Sequence, residues 1–297
     1  MTLLNKASDG LHNILITLVR SLLKSNKSRE ELIASCKVGR MDTKQLELTF
    51  NKWSKLGLFK KNETGFIELN VDPKKLRSKT KASDSIIPVI VREVVFRESN
   101  NKKFWTNQDS GASDLTRALA WLLAQDIYST ELGSNELAAL SRKQFSGASF
   151  DTLTNTRDQS TLREYARFLG FTNNLKTLMI DPTLALKQDL QYSFQTGETL
   201  EANSFMKKIS ILCPVIDKGL YREKIESKLN QNHWNKVDEG NKISSSLSIS
   251  IRRLQNFKIL DLKKLDDSSS TFQPTGINGE NWGSPFTHVE YIGDSLL

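Results

Sequence analysis

Residues 43–69 read TKQLELTFNKWSKLGLFKKNETGFIEL. Within this stretch Leu46, Phe50 and Trp53 recur at positions i, i+4 and i+7, which places them on one face of an α-helix. Gly57 follows the last apolar position of that face, where a residue in the left-handed conformation commonly ends a helix. The first half of the stretch therefore predicts an amphipathic helix that ends at Gly57.

The second half of the same stretch predicts a β-hairpin. Residues 58–59 and 66–69, which are mainly apolar, flank the polar residues 60–64, as two strands flank a polar turn. A helix followed directly by a short hairpin is typical of the third helix and the wing of a winged helix-turn-helix. We therefore expect a winged helix in this part of the chain.

The residues upstream supply the two other helices that this fold needs. Leu15 and Leu18 belong to an apolar stripe that predicts a first helix. Ser28 and Glu31 have the spacing of a capping box, which predicts that a second, shorter helix begins there. Together with the stretch above, these helices predict an N-terminal winged helix.

A weaker copy of this pattern occurs in the middle of the chain. Leu56-Gly57-Leu58 is matched by Leu169-Gly170-Phe171, and each triplet closes a predicted helix. The interval from the glycine to the proline of the next Asp-Pro pair is 16 residues in the first copy and 12 in the second, which predicts a shorter second wing. We predict a degenerate winged helix here. A plain helical bundle with a stray strand is the alternative.

A third copy is predicted near the C-terminus. In the serine-rich run 244–254, Leu247 and Ile251 have the spacing of an inward face. The outward positions are then Ser245, Ser248, Arg252 and Arg253. Residues 257–262 and 271–272, which contain apolar side chains at intervals, flank the polar tip 266–270 and predict a third hairpin. Because this tip is acidic, we do not expect it to contact phosphate.

The predicted fold class is mainly α (α+β), with tandem winged helix-turn-helix units that carry short β-hairpin wings. The predicted domains are an N-terminal winged helix (1–73), a basic linker with a connecting helix (74–112), a central degenerate unit (113–200), a C-terminal winged helix (201–275) and a tail (276–297). The tail is so apolar that it should pack back on the body or dock on a partner. The predicted core contains Leu15, Leu18, Phe50, Trp53, Leu119, Leu122, Leu247 and Ile251.

The positive charge of the chain is concentrated at its N-terminal end. The 297 residues carry a formal net charge of +8. Residues 1–81 contain 17 Lys and Arg against 8 Asp and Glu, a net charge of +9, so the remaining residues carry −1. A localised basic surface of this kind predicts contact with a polyanion such as double-stranded DNA. A solvated basic linker is the alternative.

The outward side chains of the predicted third helix suit phosphates or base edges in a major groove. They are Lys44, Gln45, Thr49, Asn51, Lys52 and Lys55, with Glu47 as the one acidic exception. The predicted DNA-binding set contains Lys44, Gln45, Lys52 and Lys55 from this helix, Lys60 and Lys61 from the wing, Lys74, Lys75, Arg77, Lys79 and Lys81 from the basic strip, and Arg252 and Arg253 from the third unit. An ordinary hydrophilic helix face is the alternative.

Sequence motifs for catalysis and for metal binding are missing. The chain has no glycine-rich phosphate loop, no dinucleotide-binding fingerprint and no G-x-S-x-G elbow. Its two cysteines and three histidines are scattered and suggest no set of metal ligands, so we predict neither a cofactor nor a metal. We expect a protein that is not an enzyme. A nuclease centre built from scattered Asp and Glu stays an alternative.

The sequence also predicts a cytoplasmic protein without a membrane partner. No apolar run approaches the ~18 residues that a membrane span requires. The N-terminus lacks the apolar core of a secretory signal. Two cysteines far apart in sequence suit a reducing compartment.

Three stretches resemble the DpdG family, which is encoded in bacterial gene clusters that install deazaguanine bases in DNA and restrict DNA lacking them. They are LLN at 3–5 followed by SDGL at 8–11, NKWSKLGLF at 51–59, and ASDLTRALAWLLAQD at 112–126. The resemblance implies an accessory DNA-binding or scaffolding subunit of a modification and restriction system that acts in phage defence. It carries over no catalytic residue, and it is clearest up to about residue 126.

Two functions of different classes follow. The first is a DNA-binding accessory subunit that acts with other subunits of a DNA modification and restriction complex. The second is a structural adaptor that resembles the kite subunits of chromosome-organising complexes, whose tandem winged helices bind protein and which suggest a possible homodimer. The first predicts exposed positive charge on helix three and the wing, and the second predicts apolar residues there. The charge distribution also suits a division of labour, with DNA at the N-terminus and protein at the C-terminus.

Overall fold

The computed structural model describes residues 2–4, 12–37, 39, 43–72, 84–106, 111–130, 133–145, 156–173, 179–234, 241–265 and 270–293. The chain divides into two compact units, Met1–Leu115 and Thr116–Leu297. The described residues are mainly helical with small β-sheets, which confirms the predicted mainly α (α+β) class. This division into two units does not test the boundaries of the five predicted segments, which stay a prediction.

The first unit begins with three short helices, as predicted. Its elements are α1 (His12–Lys24), α2 (Arg29–Cys36), α3 (Thr43–Lys55), β1 (Phe59–Lys61), β2 (Ile67–Leu69), α4 (Ile86–Phe96) and a 3₁₀ turn (Glu98–Asn101). The predicted capping box begins α2. The Ser28 Oγ accepts a hydrogen bond from the backbone N–H of Glu31 at 3.1 Å, and the Glu31 carboxylate accepts one from the backbone N–H of Ser28 at 2.9 Å.

The predicted hairpin forms directly after α3. Strands β1 and β2 are antiparallel, with Phe59 opposite Leu69 and Lys61 opposite Ile67. The segment between α1 and α2 extends this sheet, because Lys27 and Ile67 form an antiparallel bridge. The backbone N–H of Ile67 donates to the carbonyl of Lys27 at 2.7 Å, and the N–H of Lys27 donates to the carbonyl of Ile67 at 3.4 Å. The first unit thus closes its three helices with a small antiparallel sheet.

The end of α3 is fixed by backbone and side-chain contacts. Gly57 has a φ of +77°, and the backbone N–H of Leu58 donates to the carbonyl of Trp53 at 2.9 Å, as in a Schellman motif. The guanidinium of Arg97, which follows α4, donates to the carbonyls of Gly57 at 2.8 Å and Asn70 at 2.6 Å. These bonds fix the position of α3 and of the hairpin relative to α4.

The predicted core residues are all buried. They are Leu15, Leu18, Phe50, Trp53, Leu119, Leu122, Leu247 and Ile251. Phe104, in the polar loop after α4, is also buried and meets Trp105 edge to face with a centroid distance of 4.8 Å. The buried Phe104 ring anchors this loop on the first unit.

The second unit contains most of the helices and a second sheet. Its elements are α5 (Ser113–Leu123, which begins in the first unit), α6 (Ser134–Gln144), α7 (Thr156–Phe168), α8 (Thr183–Ser193), β3 (Glu198–Glu201), α9 (Ala202–Leu212), α10 (Leu220–Glu226), β4 (Lys242–Ile243), α11 (Ser245–Asn256), β5 (Leu260–Lys263), β6 (Gln273–Pro274), a 3₁₀ turn (Ile277–Gly279) and β7 (His288–Tyr291). Strands β4 and β6 form a short parallel pair.

The predicted third hairpin is wrong. Strand β5 pairs with β7, so that Leu260 lies opposite Tyr291, and β3 pairs with the other edge of β7. The predicted partner Phe272 bonds instead with Phe286. Segment 276–297, which we expected as a tail, therefore contains the middle strand of a three-stranded antiparallel sheet. The reason is burial, since Val289 and Tyr291 place apolar side chains in the core.

Two further helices end in the same way as α3. After α7, Gly170 has a φ of +82°, and the N–H of Phe171 donates to the carbonyl of Ala166 at 2.7 Å. After α11, Lys258 has a φ of +56°, and the N–H of Ile259 donates to the carbonyl of residue 254 at 2.9 Å. The predicted correspondence of Gly57 with Gly170 is thus confirmed for the helix ends.

Candidate nucleic-acid interface

Helix α3 carries one exposed stripe opposite its buried face. The stripe consists of Lys44, Leu48, Asn51 and Lys55, which are all exposed and which we call the outer stripe. At 3.6 residues per turn these positions lie within about 60° of one another around the helix. The predicted outward orientation is confirmed for Lys44, Asn51 and Lys55, and also for Gln45 beside the stripe.

The predicted outward orientation of Lys52 and Thr49 is wrong. Lys52 is only 5% exposed and Thr49 is fully buried. With about 100° of rotation per residue, Lys52 lies about 60° from Thr49 and thus at the border of the buried face. A lysine can place its aliphatic stem along apolar surface in this way. Lys52 therefore does not belong to the surface that could meet DNA.

Glu47, the acidic exception on α3, has a basic neighbour. Its carboxylate lies 4.0 Å from the guanidinium of Arg29, and both side chains are more than 40% exposed. The same guanidinium lies 5.7 Å from the centre of the Phe50 ring. The negative charge of Glu47 is thus partly balanced at the edge of the outer stripe.

The hairpin presents two exposed lysines beside α3. Lys60 and Lys61 are both exposed at the end of β1. The ammonium of Lys60 lies 3.1 Å from the carboxylate of Glu68 on the opposite strand. Lys60 therefore already has one anionic neighbour, which reduces the free energy that a phosphate could gain from it.

The tip of the hairpin is held by one side chain. The Asn62 Oδ1 accepts hydrogen bonds from the backbone N–H groups of Thr64 at 3.1 Å and Phe66 at 2.9 Å. Gly65 has a φ of +84°, which only glycine adopts without cost. This turn leaves the Phe66 side chain 40% exposed. The sequence could have indicated Leu48 and Phe66 as surface residues, because both fall opposite the buried positions of their elements.

The basic strip, residues 74–81, lies outside the part of the chain that the structure describes. Its predicted DNA-binding residues are Lys74, Lys75, Arg77, Lys79 and Lys81. Their role stays a prediction from charge alone.

The two arginines of the predicted basic face of α11 contact other residues of the second unit. Arg253 forms an ion pair with Asp181, whose side chain is 3% exposed. Arg252 donates to the carbonyl of Trp282 at 2.7 Å and to the amide oxygen of Gln255 at 2.9 Å, and burial lowers the pKa of its guanidinium. Both arginines are thus engaged within the fold.

The two serines that we expected on the outer face of α11 are buried, so this prediction is wrong. The Ser245 Oγ accepts a hydrogen bond from the backbone N–H of Ile127 at 3.1 Å. The Ser248 Oγ accepts one from the backbone N–H of Thr275 at 2.8 Å. These hydroxyls satisfy internal backbone groups and are not available to a phosphate.

A cleft of about 860 Å³ opens in the second unit beside Trp234. Its lining has charges of both signs, from Asp126, Glu136, Lys143 and Lys242, and this mixture favours no single class of ligand. Among the described residues, no group of His, Cys, Asp or Glu could hold a metal ion. In that same part of the chain, no helix has both the length and the apolar character needed to cross a membrane.

The chain matches a known protein family over most of its length. A family model described as DpdG-like matches residues 1–268, which include all three stretches of the resemblance and extend far beyond residue 126. No curated protein and no solved structure matches the chain. The chain therefore belongs to the DpdG-like family, which is associated with the dpd gene clusters.

Proposed function

We propose that this chain is a non-enzymatic DNA-binding accessory subunit of a bacterial system that modifies DNA with deazaguanine and restricts DNA that lacks it. The observation that carries the proposal is the outer stripe of α3 beside the exposed Lys60 and Lys61. In this proposal α3 enters the major groove, and the hairpin contacts the flanking backbone.

The architecture of the first unit supports a winged helix. Three helices precede a two-stranded hairpin, and the segment at Lys27 pairs with Ile67 to complete a third strand. Helix-turn-helix proteins place one such helix in the major groove. The helix ends at Gly57, Gly170 and Lys258 also support a tandem arrangement, in which residues 113–200 are a degenerate copy and residues 201–275 are a third copy whose predicted hairpin does not form.

Electrostatics supports the choice of partner. Residues 1–81 carry a net charge of +9, whereas the rest of the chain carries −1. Phosphate contacts from Lys and Arg provide most of the sequence-independent affinity for DNA. A polyanion should therefore approach the first unit, and the α11 arginines should contribute little.

In this proposal the chain catalyses no reaction. The chain supplies DNA binding, while the catalytic steps belong to other subunits in the bacterial cytoplasm. A homodimer would double the number of phosphate contacts, and it is compatible with the proposal but not required by it.

A second candidate function is a kite-like adaptor that binds protein. It is favoured by exposed apolar side chains on the second unit, among them Ile211 at 70%, Ile277 at 61% and Phe257 at 57%. The two functions are compatible if the first unit binds DNA and the second binds a protein partner.

The experiment that tests the proposal is a fluorescence anisotropy titration of the whole chain with a short labelled duplex at several salt concentrations. The proposal predicts binding that weakens linearly on a plot of log affinity against log salt. Absence of binding at the lowest salt concentration would contradict it. A pull-down from the native host, with and without nuclease, then separates the two functions, since a protein-binding adaptor keeps its partner after nuclease treatment.

A further inference from the structure

We propose that α3 reads A·T base pairs through Asn51 and Leu48, an inference that rests on the proposed DNA-binding function. Asn51 would bind adenine through two hydrogen bonds, and Leu48 would contact the methyl group of thymine. The proposal concerns sequence preference, which the phosphate contacts of the lysines cannot supply.

The order of residues along the outer stripe suits this assignment. Lys44 and Lys55 stand at its two ends, about 16 Å apart along the helix axis at 1.5 Å per residue. Leu48 and Asn51 occupy the middle, about 4.5 Å apart along the axis. Base pairs repeat every ~3.4 Å along DNA. The two central side chains can therefore reach adjacent base pairs while the two lysines reach phosphates.

The chemistry of the two central side chains selects the base. The carboxamide of Asn51 can offer an N–H donor and its carbonyl acceptor side by side, which match the N7 acceptor and the N6–H donor of adenine. Guanine presents two acceptors, N7 and O6, so the Asn51 carbonyl would face an acceptor without a proton between them. Thymine alone carries a methyl group in the major groove, and Leu48 is the one apolar residue of the outer stripe.

The stripe is held in a fixed orientation. Trp53, on the opposite face of α3, is fully buried, and Asn100 donates to the carbonyl of Leu56 at 2.9 Å directly after the helix. Together with the Arg97 bonds to Gly57, these contacts fix the helix from its C-terminal end. Reading a base requires that the side chain start from such a rigid element.

A single exposed leucine is common on protein surfaces and would not carry the proposal alone. Leu48 is 37% exposed, and it lies one helical turn from Lys44 and next to Asn51 on the same stripe, where a base-reading side chain would stand. A contact surface for protein would need more apolar area than this stripe offers.

The test begins with selection of the whole chain against a library of random duplexes. We expect enrichment of a site that contains A·T pairs. Within that site, replacement of adenine by 7-deazaadenine removes N7 and should weaken the parent by roughly 5- to 100-fold. Replacement of thymine by uracil removes the methyl group and should weaken the parent by about fourfold.

Matched variants assign each effect to its residue. Asn51→Ala should lose the response to 7-deazaadenine and keep the response to uracil, and Leu48→Ala should show the opposite pattern. Leu265→Ala and Asn256→Ala, which change exposed residues of the second unit, should keep both responses. Circular dichroism confirms that each variant is folded.

The outcomes separate this inference from the function on which it rests. Salt-dependent binding without enrichment of A·T pairs, or variants that keep the parent's response to both analogues, would overturn the reading of A·T and leave DNA binding intact. Absence of any binding at low salt would overturn both.

Discussion

At the scale of single residues, burial divides the lysines near α3 into two groups. Lys52 is 5% exposed and belongs to the packing of the first unit, whereas Lys55, one helical turn away on the outer stripe, is exposed. The two side chains have the same charge and lie three residues apart. Their substitutions should therefore have different consequences.

Substitution of these two lysines should separate stability from DNA binding. Lys52→Ala should lower the free energy of unfolding by about 1–3 kcal/mol, because a buried side chain is truncated, and should leave the salt slope of DNA binding unchanged. Lys55→Ala should leave stability within about 0.5 kcal/mol and reduce the magnitude of the slope by about 0.9. Urea unfolding and salt-dependent titrations measure the two quantities. A reversed pattern would show that Lys52, not Lys55, faces DNA.

Trp53 tests whether the core of the first unit is as described. The side chain is fully buried, so Trp53→Ala should lower the free energy of unfolding by about 3–5 kcal/mol. The matched control is Trp282→Ala, whose side chain is 36% exposed and should cost much less. Thermal denaturation compares the two variants. An unchanged melting temperature for Trp53→Ala would place this indole on the surface.

At the scale of elements, glycines with positive φ have different surroundings in the second unit. At Gly170 an added Cβ would lie 2.8 Å from the backbone nitrogen of Ala185. At Gly279, which also has a positive φ, no atom lies within 4 Å of such a Cβ. A side chain at Gly279 would therefore meet only the strain of the left-handed backbone, whereas one at Gly170 would also meet steric crowding.

Alanine at these two glycines should therefore have different costs. Gly279→Ala should destabilise the second unit by about 1–2 kcal/mol, which is the cost of the left-handed backbone. Gly170→Ala should cost clearly more, because the backbone at Ala185 must also move. Urea unfolding measures both variants in the same unit. Equal costs would contradict the close approach at Gly170.

The elements also show what the sequence could predict. The first hairpin was predictable, because its strands are separated only by the polar turn that Asn62 holds. The partner of β5 was not, because β7 lies 25 residues beyond its end and pairing over that distance depends on burial in the folded chain. The serines of α11 were predicted on the surface because their hydroxyls are polar. In the folded chain these hydroxyls are buried and accept hydrogen bonds from backbone N–H groups.

At the scale of the whole molecule, the charge is divided unevenly along the chain. The basic N-terminal residues and the nearly neutral remainder suit a protein that holds DNA with one part and leaves the other for partners. The family and the core were predictable from local motifs and periodicity. The subset of lysines available on the surface was not, because side chains at the border of a helix face are covered only by the packed tertiary structure.

The most direct measurement compares two triple variants of equal charge in salt-dependent titrations with a short duplex. One variant combines Lys55→Ala, Lys60→Ala and Lys61→Ala near α3. The control combines Lys143→Ala, Lys207→Ala and Lys228→Ala, which are exposed in the second unit. The first should lower affinity and reduce the magnitude of the slope of log affinity against log salt by about 2 to 3, similarly for unrelated sequences. The control should retain the slope of the parent. If the first variant binds DNA as tightly as the parent at every salt concentration, the proposed interface is contradicted and the protein-binding adaptor becomes the better account.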